Sequence, residues 1–295
     1  MHEGIFGIIP PMVTPFCSDG SVDESALRSD ARYLVETAGV HGLAVGGSTG
    51  EGHTLTTADL RQITEAVVDE VAGRVPVIAG IIVNSTAAAI ERGRAVKDLG
   101  VAALQVTPVH YLFRPTDDAM LAHFDAVSSE AECPVIIYNV VPWSYLSPEL
   151  LARIIRSADG VIGVKQSAGD MKLLADLIVD VGDTGRILTA VDALLLPSFM
   201  LGAHGAVAAI LTAAPTLCVE LWNTNAKEEY VSARSLHEKL LSIWNSIADD
   251  NLPANVKHCM KLQNRAGGHP RAPMPQSSEA QAVAIQKALT AAELV

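Results

Sequence analysis

Gly160-Val161-Ile162-Gly163-Val164-Lys165-Gln166-Ser167-Ala168-Gly169-Asp170 reads as a short apolar strand, a lysine, a small-residue turn and a helix N-cap. After Asp170, Met171, Leu173, Leu174, Leu177 and Ile178 recur at helical spacing. A lysine at the end of a buried strand loses hydration, which lowers its pKa and favours the nucleophilic free amine. Lys165 is therefore a candidate Schiff-base lysine. A lysine reaching from a strand end to solvent would leave the same local pattern.

The same strand-then-helix unit recurs along the chain. Strands are expected at Gly7–Val13, Gly42–Gly46, Val75–Ile82, Ala102–Thr107, Pro134–Tyr138, Val161–Lys165, Arg186–Ala190 and Ala206–Ile210. Helical patterns follow near Glu24–Thr37, Thr57–Ala72, Ser85–Leu99, Asp117–Ser128, Ser147–Ser157, Asp170–Val181, Asp192–Leu201 and Ala213–Asn225. Thr56, Ser85 and Ser147 stand as caps, and Gly39, Gly73 and Gly100 as stops. The strands are continuous apolar runs, as expected where both faces are covered. Eight such units, about 25–35 residues each, give an α/β fold, a (β/α)8 TIM barrel. A doubly wound open sheet is the alternative, but no G-x-G-x-x-G follows the first strand.

Beyond Asn225 the pattern becomes helical only, at Glu228–Asn245, Pro253–Gln263 and Ser278–Leu294. The expected organisation is a barrel over residues 1–225 carrying the site. Residues 226–295 form a C-terminal helical extension of the same unit.

The chain has 295 residues, 49% of them hydrophobic, enough for a large single core. Its net charge of −12, without long like-charge blocks, argues against a nucleic-acid partner. No run of about 18 apolar residues suggests a membrane span. Four scattered cysteines without C-x-x-C fit a reduced cytoplasmic protein and argue against a zinc cluster. The first residues lack the pattern of a signal peptide.

In such a barrel the chemistry lies at the carboxyl ends of the strands. Gly46-Gly47-Ser48-Thr49-Gly50-Glu51 follows strand two. Its glycines admit a ligand close to the backbone, its amides suit a carboxylate and its hydroxyls can relay a proton. It is equally a tight turn with a local cap. Tyr138 ends strand five, where a phenol beside an amine can act as acid or base, or simply pack in the core. Gly202-Ala203-His204-Gly205-Ala206 leads into strand eight with little bulk.

Taken together, Gly47-Ser48-Thr49-Gly50-Glu51, Tyr138-Asn139-Val140, Gly163-Val164-Lys165 and Gly202-Ala203-His204-Gly205 resemble the dihydrodipicolinate synthase / N-acetylneuraminate lyase family. The likeness covers about residues 4–225. It implies a metal-free class I mechanism without a cofactor, in which Lys165 forms an imine with pyruvate or a longer 2-oxo acid. Tyr138 would shuttle protons, and Thr49 would link it to a relay. Gly47, Ser48, Thr49, Ala206 and Val207 would bind substrate. A second tyrosine would arrive from a neighbouring subunit of a homotetramer built from dimers. Tyr111 is the candidate for it, with His110 as the alternative.

The sequence departs from the family where a synthase carries an arginine after the strand-five tyrosine. Here Tyr138-Asn139-Val140-Val141-Pro142-Trp143-Ser144-Tyr145 has none, and Trp143 or Tyr145 is the candidate lining residue. Asp192 and His53 are further candidates for substrate contact, although Asp192 also suits a helix cap and His53 a surface loop. The readings are a lyase giving pyruvate and an aldehyde, and a dehydratase or cyclic imino acid deaminase using the same imine. The 4-hydroxy-tetrahydrodipicolinate synthase is disfavoured by the missing arginine. A non-catalytic binding or regulatory member is the reading from another class.

Overall fold

Apolar strands form the wall of a closed barrel in the computed structural model, which describes residues 4–295. They are β1 (Gly7–Ile8), β2 (Leu43–Val45), β3 (Val77–Ile81), β4 (Ala103–Val106), β5 (Val135–Asn139), β6 (Val161–Gln166), β7 (Arg186–Thr189) and β8 (Gly205–Ala206). All pairs are parallel, in the order β1-β8-β7-β6-β5-β4-β3-β2. The ends meet through Pro11 and Ala44, where the Ala44 N–H donates to Pro10 O (3.0 Å) and the Met12 N–H to Ala44 O (2.8 Å). The ladder of β1 is shorter than expected because Pro10 and Pro11 have no N–H to give it.

Helices α1 (Glu24–Arg32), α2 (Thr57–Val71), α3 (Thr86–Lys97), α4 (Asp117–Ala131), α5 (Pro148–Ser157), α6 (Met171–Val181) and α7 (Leu195–Met200) surround the wall. Side-chain caps from Thr56, Ser85, Ser147 and Asp170 fix four of their starts. Two helices follow β8, a one-turn α8 (Ile210–Ala213) and α9 (Pro215–Ala226). Then come α10 (Tyr230–Ile247), α11 (Leu252–Leu262) and α12 (Glu279–Ala291), with α10 against α9 and α11 against α8. The expected strand Ala206–Ile210 is shorter than anticipated, since Ile210 already belongs to α8. No helix among the described residues is long and apolar enough to cross a membrane. All four cysteines are unpaired, and only Cys17 is exposed.

The core has two parts. A large cluster lies between wall and helices, and a small one fills the barrel with Ile5, Ile9, Ala44, Ile78, Ala103, Ile136, Ile162, Leu188 and Val207. Strict alternation along β6 would put Ile162 inside and Lys165 outside. The pairing with β5 slips by one residue, however. Val135 faces Val161, but Ile136 faces Gly163, and Tyr138 then faces Lys165. Ile162 and Gly163 therefore both turn inward, Val164 packs in the outer core, and Lys165 enters the barrel. Gly163 has no alternative here, because a Cβ would stand 2.1 Å from the Arg186 carbonyl oxygen.

Gly163→Ala is expected to cost about 3 kcal/mol, at the upper end for overpacking, and to displace Lys165. Urea unfolding checks this, and wild-type stability in the variant would show that the slip does not need glycine.

Candidate active site

Tyr138 and Lys165 lie side by side in the ladder at the carboxyl ends of β5 and β6. Both are almost fully buried. The Lys165 ammonium nitrogen sits 4.1 Å from the centre of the Tyr138 ring. The phenol donates to Ser48 Oγ (2.9 Å) and accepts from the Ser48 N–H (3.2 Å). Burial pushes the Tyr138 phenol up. The Lys165 charge and the bonds to Ser48 outweigh it, so the pKa falls below the ordinary tyrosine value. A phenol of lowered pKa beside an amine exchanges protons more readily near neutral pH.

The turn after β2 carries the other half of the site. Gly46 has φ +67°, which lets the chain leave the strand sharply, and a Cβ on Gly47 would come within 3.6 Å of the Tyr138 oxygen. The Thr14 hydroxyl donates to Gly50 O (2.7 Å) and braces the turn. The Thr49 N–H has no protein acceptor among the described residues. The Thr49 hydroxyl does not bond Tyr138. Ser48 holds the position that the family resemblance had assigned to Thr49.

Glu51 closes the turn in the left-handed region (φ +55°), fully buried. Lys257 of α11 meets it at 2.6 Å and also donates to His269 O (2.7 Å), while the Arg271 N–H donates to the other carboxylate oxygen (2.8 Å). Burial lowers the Lys257 pKa against the pull of Glu51. Arg271 further grips Asp59, Thr54 O and Gly20 O. The helical extension thus holds the turn that meets Tyr138. Lys257 carried a sequence signal, as a lysine among Val256, Cys259 and Met260 on one apolar face.

The other candidates separate. Val207 faces the barrel interior, whereas the Ala206 methyl lies in the outer core. Asp192 does not cap the following helix; its carboxylate accepts from the Ile210 N–H (2.7 Å), 18 residues on. Burial pushes that carboxyl up to about 6, opposed by the Ile210 bond and the Lys165 charge. His204 is engaged with the backbone of β7 through the Ile187 N–H (3.1 Å). His53 is exposed and lines a cavity with Asp249, Arg271 and Met274 that includes none of Lys165, Tyr138 and Ser48.

Tyr111 and Trp143 are exposed on the loops after β4 and β5, outside the barrel. The Trp143 indole donates to His110 O (3.1 Å), and Arg114 donates to Tyr145 O (3.3 Å), so the two loops are tied together. Asn139 anchors the second loop by accepting the Leu146 N–H (2.9 Å) and donating to Gln166 (3.2 Å). The loops surround a small cavity of about 290 Å³ lined by His110, Arg114 and Trp143. Among the described residues, no cluster of three His, Cys, Asp or Glu side chains suits a metal.

A parallel barrel with an inward lysine, a bonded phenol and an amide-rich turn at its carboxyl end defines a lyase of the class I aldolase type. The Dihydrodipicolinate synthetase family model matches residues 5–292, and the chain belongs to that family. It is 35% identical over 278 residues to a 4-hydroxy-tetrahydrodipicolinate synthase of Methanopyrus kandleri, covering 93% of this chain and 92% of the relative. The dihydrodipicolinate synthase of Aquifex aeolicus superposes with a TM-score of 0.92 at 26% identity, covering 98% and 99% of the two chains. YagE of E. coli K12, a prophage protein of the dihydrodipicolinic acid synthase family solved with pyruvate, superposes at 0.93 with 25% identity, covering 99% of each chain. The chain is thus an enzyme of a family whose chemistry runs through a lysine Schiff base with the substrate, without an external cofactor.

Lys257→Met strands the buried Glu51 charge and is expected to cost roughly 3–5 kcal/mol. Adding Glu51→Gln should return part of that. Urea unfolding measures both, and a loss below about 1 kcal/mol for the single variant would show that the pair is not needed.

Proposed function

We propose that Lys165 forms the imine, with pyruvate or a longer 2-oxo acid as substrate. The observation that carries this reading is the pairing of a buried amine with a phenol already bonded to the Gly47–Glu51 turn. The Lys165 amine attacks the ketone carbon, a carbon–nitrogen bond forms, and water leaves after proton transfers through Tyr138. The cationic imine then takes up the electron pair of the adjacent carbon–carbon bond as an aldehyde departs. Tyr138 and Ser48 carry protons to and from the departing or attacking oxygen. The Thr49 N–H, with the turn around it, receives the substrate carboxylate. Loss of water or ammonia next to the imine would use the same groups.

A second reading is condensation, the direction given in the names of the curated relatives. An acidic aldehyde needs a cation at the mouth, and the loop after β5 supplies none. Arg114 of the β4 loop lines the mouth cavity and would serve.

Borohydride reduction with pyruvate, followed by peptide mass spectrometry, is expected to mark Lys165. Tyr138→Phe should retain the adduct site while turnover falls about 10²–10⁴-fold. No adduct with any 2-oxo acid would end the imine reading.

We propose an assembly through the same loops. Tyr111, Leu112, Phe113 and Trp143 are large apolar side chains exposed on these two hydrogen-bonded loops, with Leu112 89% exposed. A second copy of the chain would cover them, bringing Tyr111 to the neighbour's site within a homotetramer. Residues 226–295 would remain part of each barrel's own unit. Light scattering is expected to show the tetramer, and Leu112→Glu with Phe113→Glu should dissociate it and lower turnover. A fully active monomer would refute this assembly.

A further inference from the structure

Gln105 stands in the middle of β4, between Leu104 and Val106, which both pack in the outer core. It faces the barrel interior, where the strand's other inward residue, Ala103, belongs to the small inner cluster. Its ladder neighbours are Gly80 on β3 and Ile136 on β5, and Ile136 in turn faces Gly163. Two of the nearby positions thus lack side chains and leave room for a long one.

Gln105 is fully buried, yet neither Nε2 nor Oε1 has a partner. Among the described residues it is the one carboxamide with both polar atoms buried and unpaired. A buried amide left unpaired is costly, so the fold tolerates it where a ligand completes it. The amide nitrogen lies 3.8 Å from where a Gly47 Cβ would be, and the Tyr138 oxygen 3.6 Å from the same point. Amide and phenol therefore flank one volume beside the first residue of the turn.

In that turn the Ser48 N–H is already given to Tyr138, while the Gly47, Thr49 and Gly50 N–H groups have no acceptor among the described residues. A carboxylate accepts at about four lone-pair sites, so it takes a side-chain donor from β4 in addition to the amides of the turn. We propose that Gln105 is a substrate-binding residue whose amide donates to the carboxylate of the 2-oxo acid. The proposal rests on the imine at Lys165 being the site of reaction. It gives the enzyme a neutral donor deep in the barrel, so the acid is recognised without a guanidinium on the substrate's inner side. The expected preference is for small 2-oxo acids over their amides or aldehydes, which offer fewer acceptor sites.

The test titrates pyruvate and pyruvamide against the intact enzyme by borohydride trapping on Lys165. Gln105→Met keeps the length and removes both polar atoms; Gln105→Glu keeps the shape and replaces a donor with a repelling charge. Half-saturating pyruvate is expected to rise about 10-fold in the first and further in the second. The maximal adduct should stay unchanged, and the preference for pyruvate over pyruvamide should shrink. Half-saturation within twofold of wild type in both variants overturns the proposal, as does an equal loss for pyruvate and pyruvamide. If Gln105→Met does not fold, Gln105→Glu decides alone by the same readouts. If wild type itself gives no adduct, the imine reading fails instead, and calorimetric binding of pyruvate to the same variants still judges Gln105.

Discussion

One slipped residue in the pairing of β5 and β6 decides what this barrel can do. Without it, the lysine side chain would join the apolar layer against the helices, where an ammonium finds no partner. With it, Lys165 stands beside Tyr138 and above a floor of Ile136, Ile162 and Leu188. The apolar floor excludes water from below, and the phenol face offers the ammonium an electrostatic partner worth about 2 kcal/mol when desolvated. Lys165 and Tyr138 thus stand at the carboxyl end of the barrel, with Gln105 of β4 as a further polar group beside the floor residue Ile136.

The turn after β2 is the second half of the arrangement, and it is not self-supporting. It includes a left-handed non-glycine residue, Glu51, and buries that residue's charge. Lys257 and the Arg271 amide answer both carboxylate oxygens, so the strain and the charge are balanced from the helical extension. Arg265 likewise pairs with the buried Asp30 of α1, donating twice to Oδ1 (2.7 and 3.0 Å) and also to Thr212 O, while the other Asp30 oxygen has no partner among the described residues. The extension therefore acts on the barrel through buried ion pairs rather than through apolar contact alone.

The barrel was legible in the sequence because its signals are local. Apolar runs, caps at Thr56, Ser85, Ser147 and Asp170, and glycine stops each act within a few residues. The strand-end lysine and tyrosine were legible for the same reason. What escaped depends on distant partners. Asp192 looked like a cap for its own helix but reaches the start of α8. Ser48 and Thr49 are adjacent hydroxyls, and only the turn's conformation decides which one meets the phenol. Gln105 was hidden inside an apolar strand whose inward face cannot be told from its outward one when both are covered.

The pair Glu51–Lys257 spans 206 positions. During synthesis the eight strands are all made by Ala206, yet the anchor of the turn has still to be translated. A chain made as far as Ala206 thus has every strand of the barrel but neither Lys257 nor Arg271 to hold the turn after β2. Glu51 is then a buried charge without its counter-ion, so the turn beside Tyr138 is held in place only once residues 257–271 have been added.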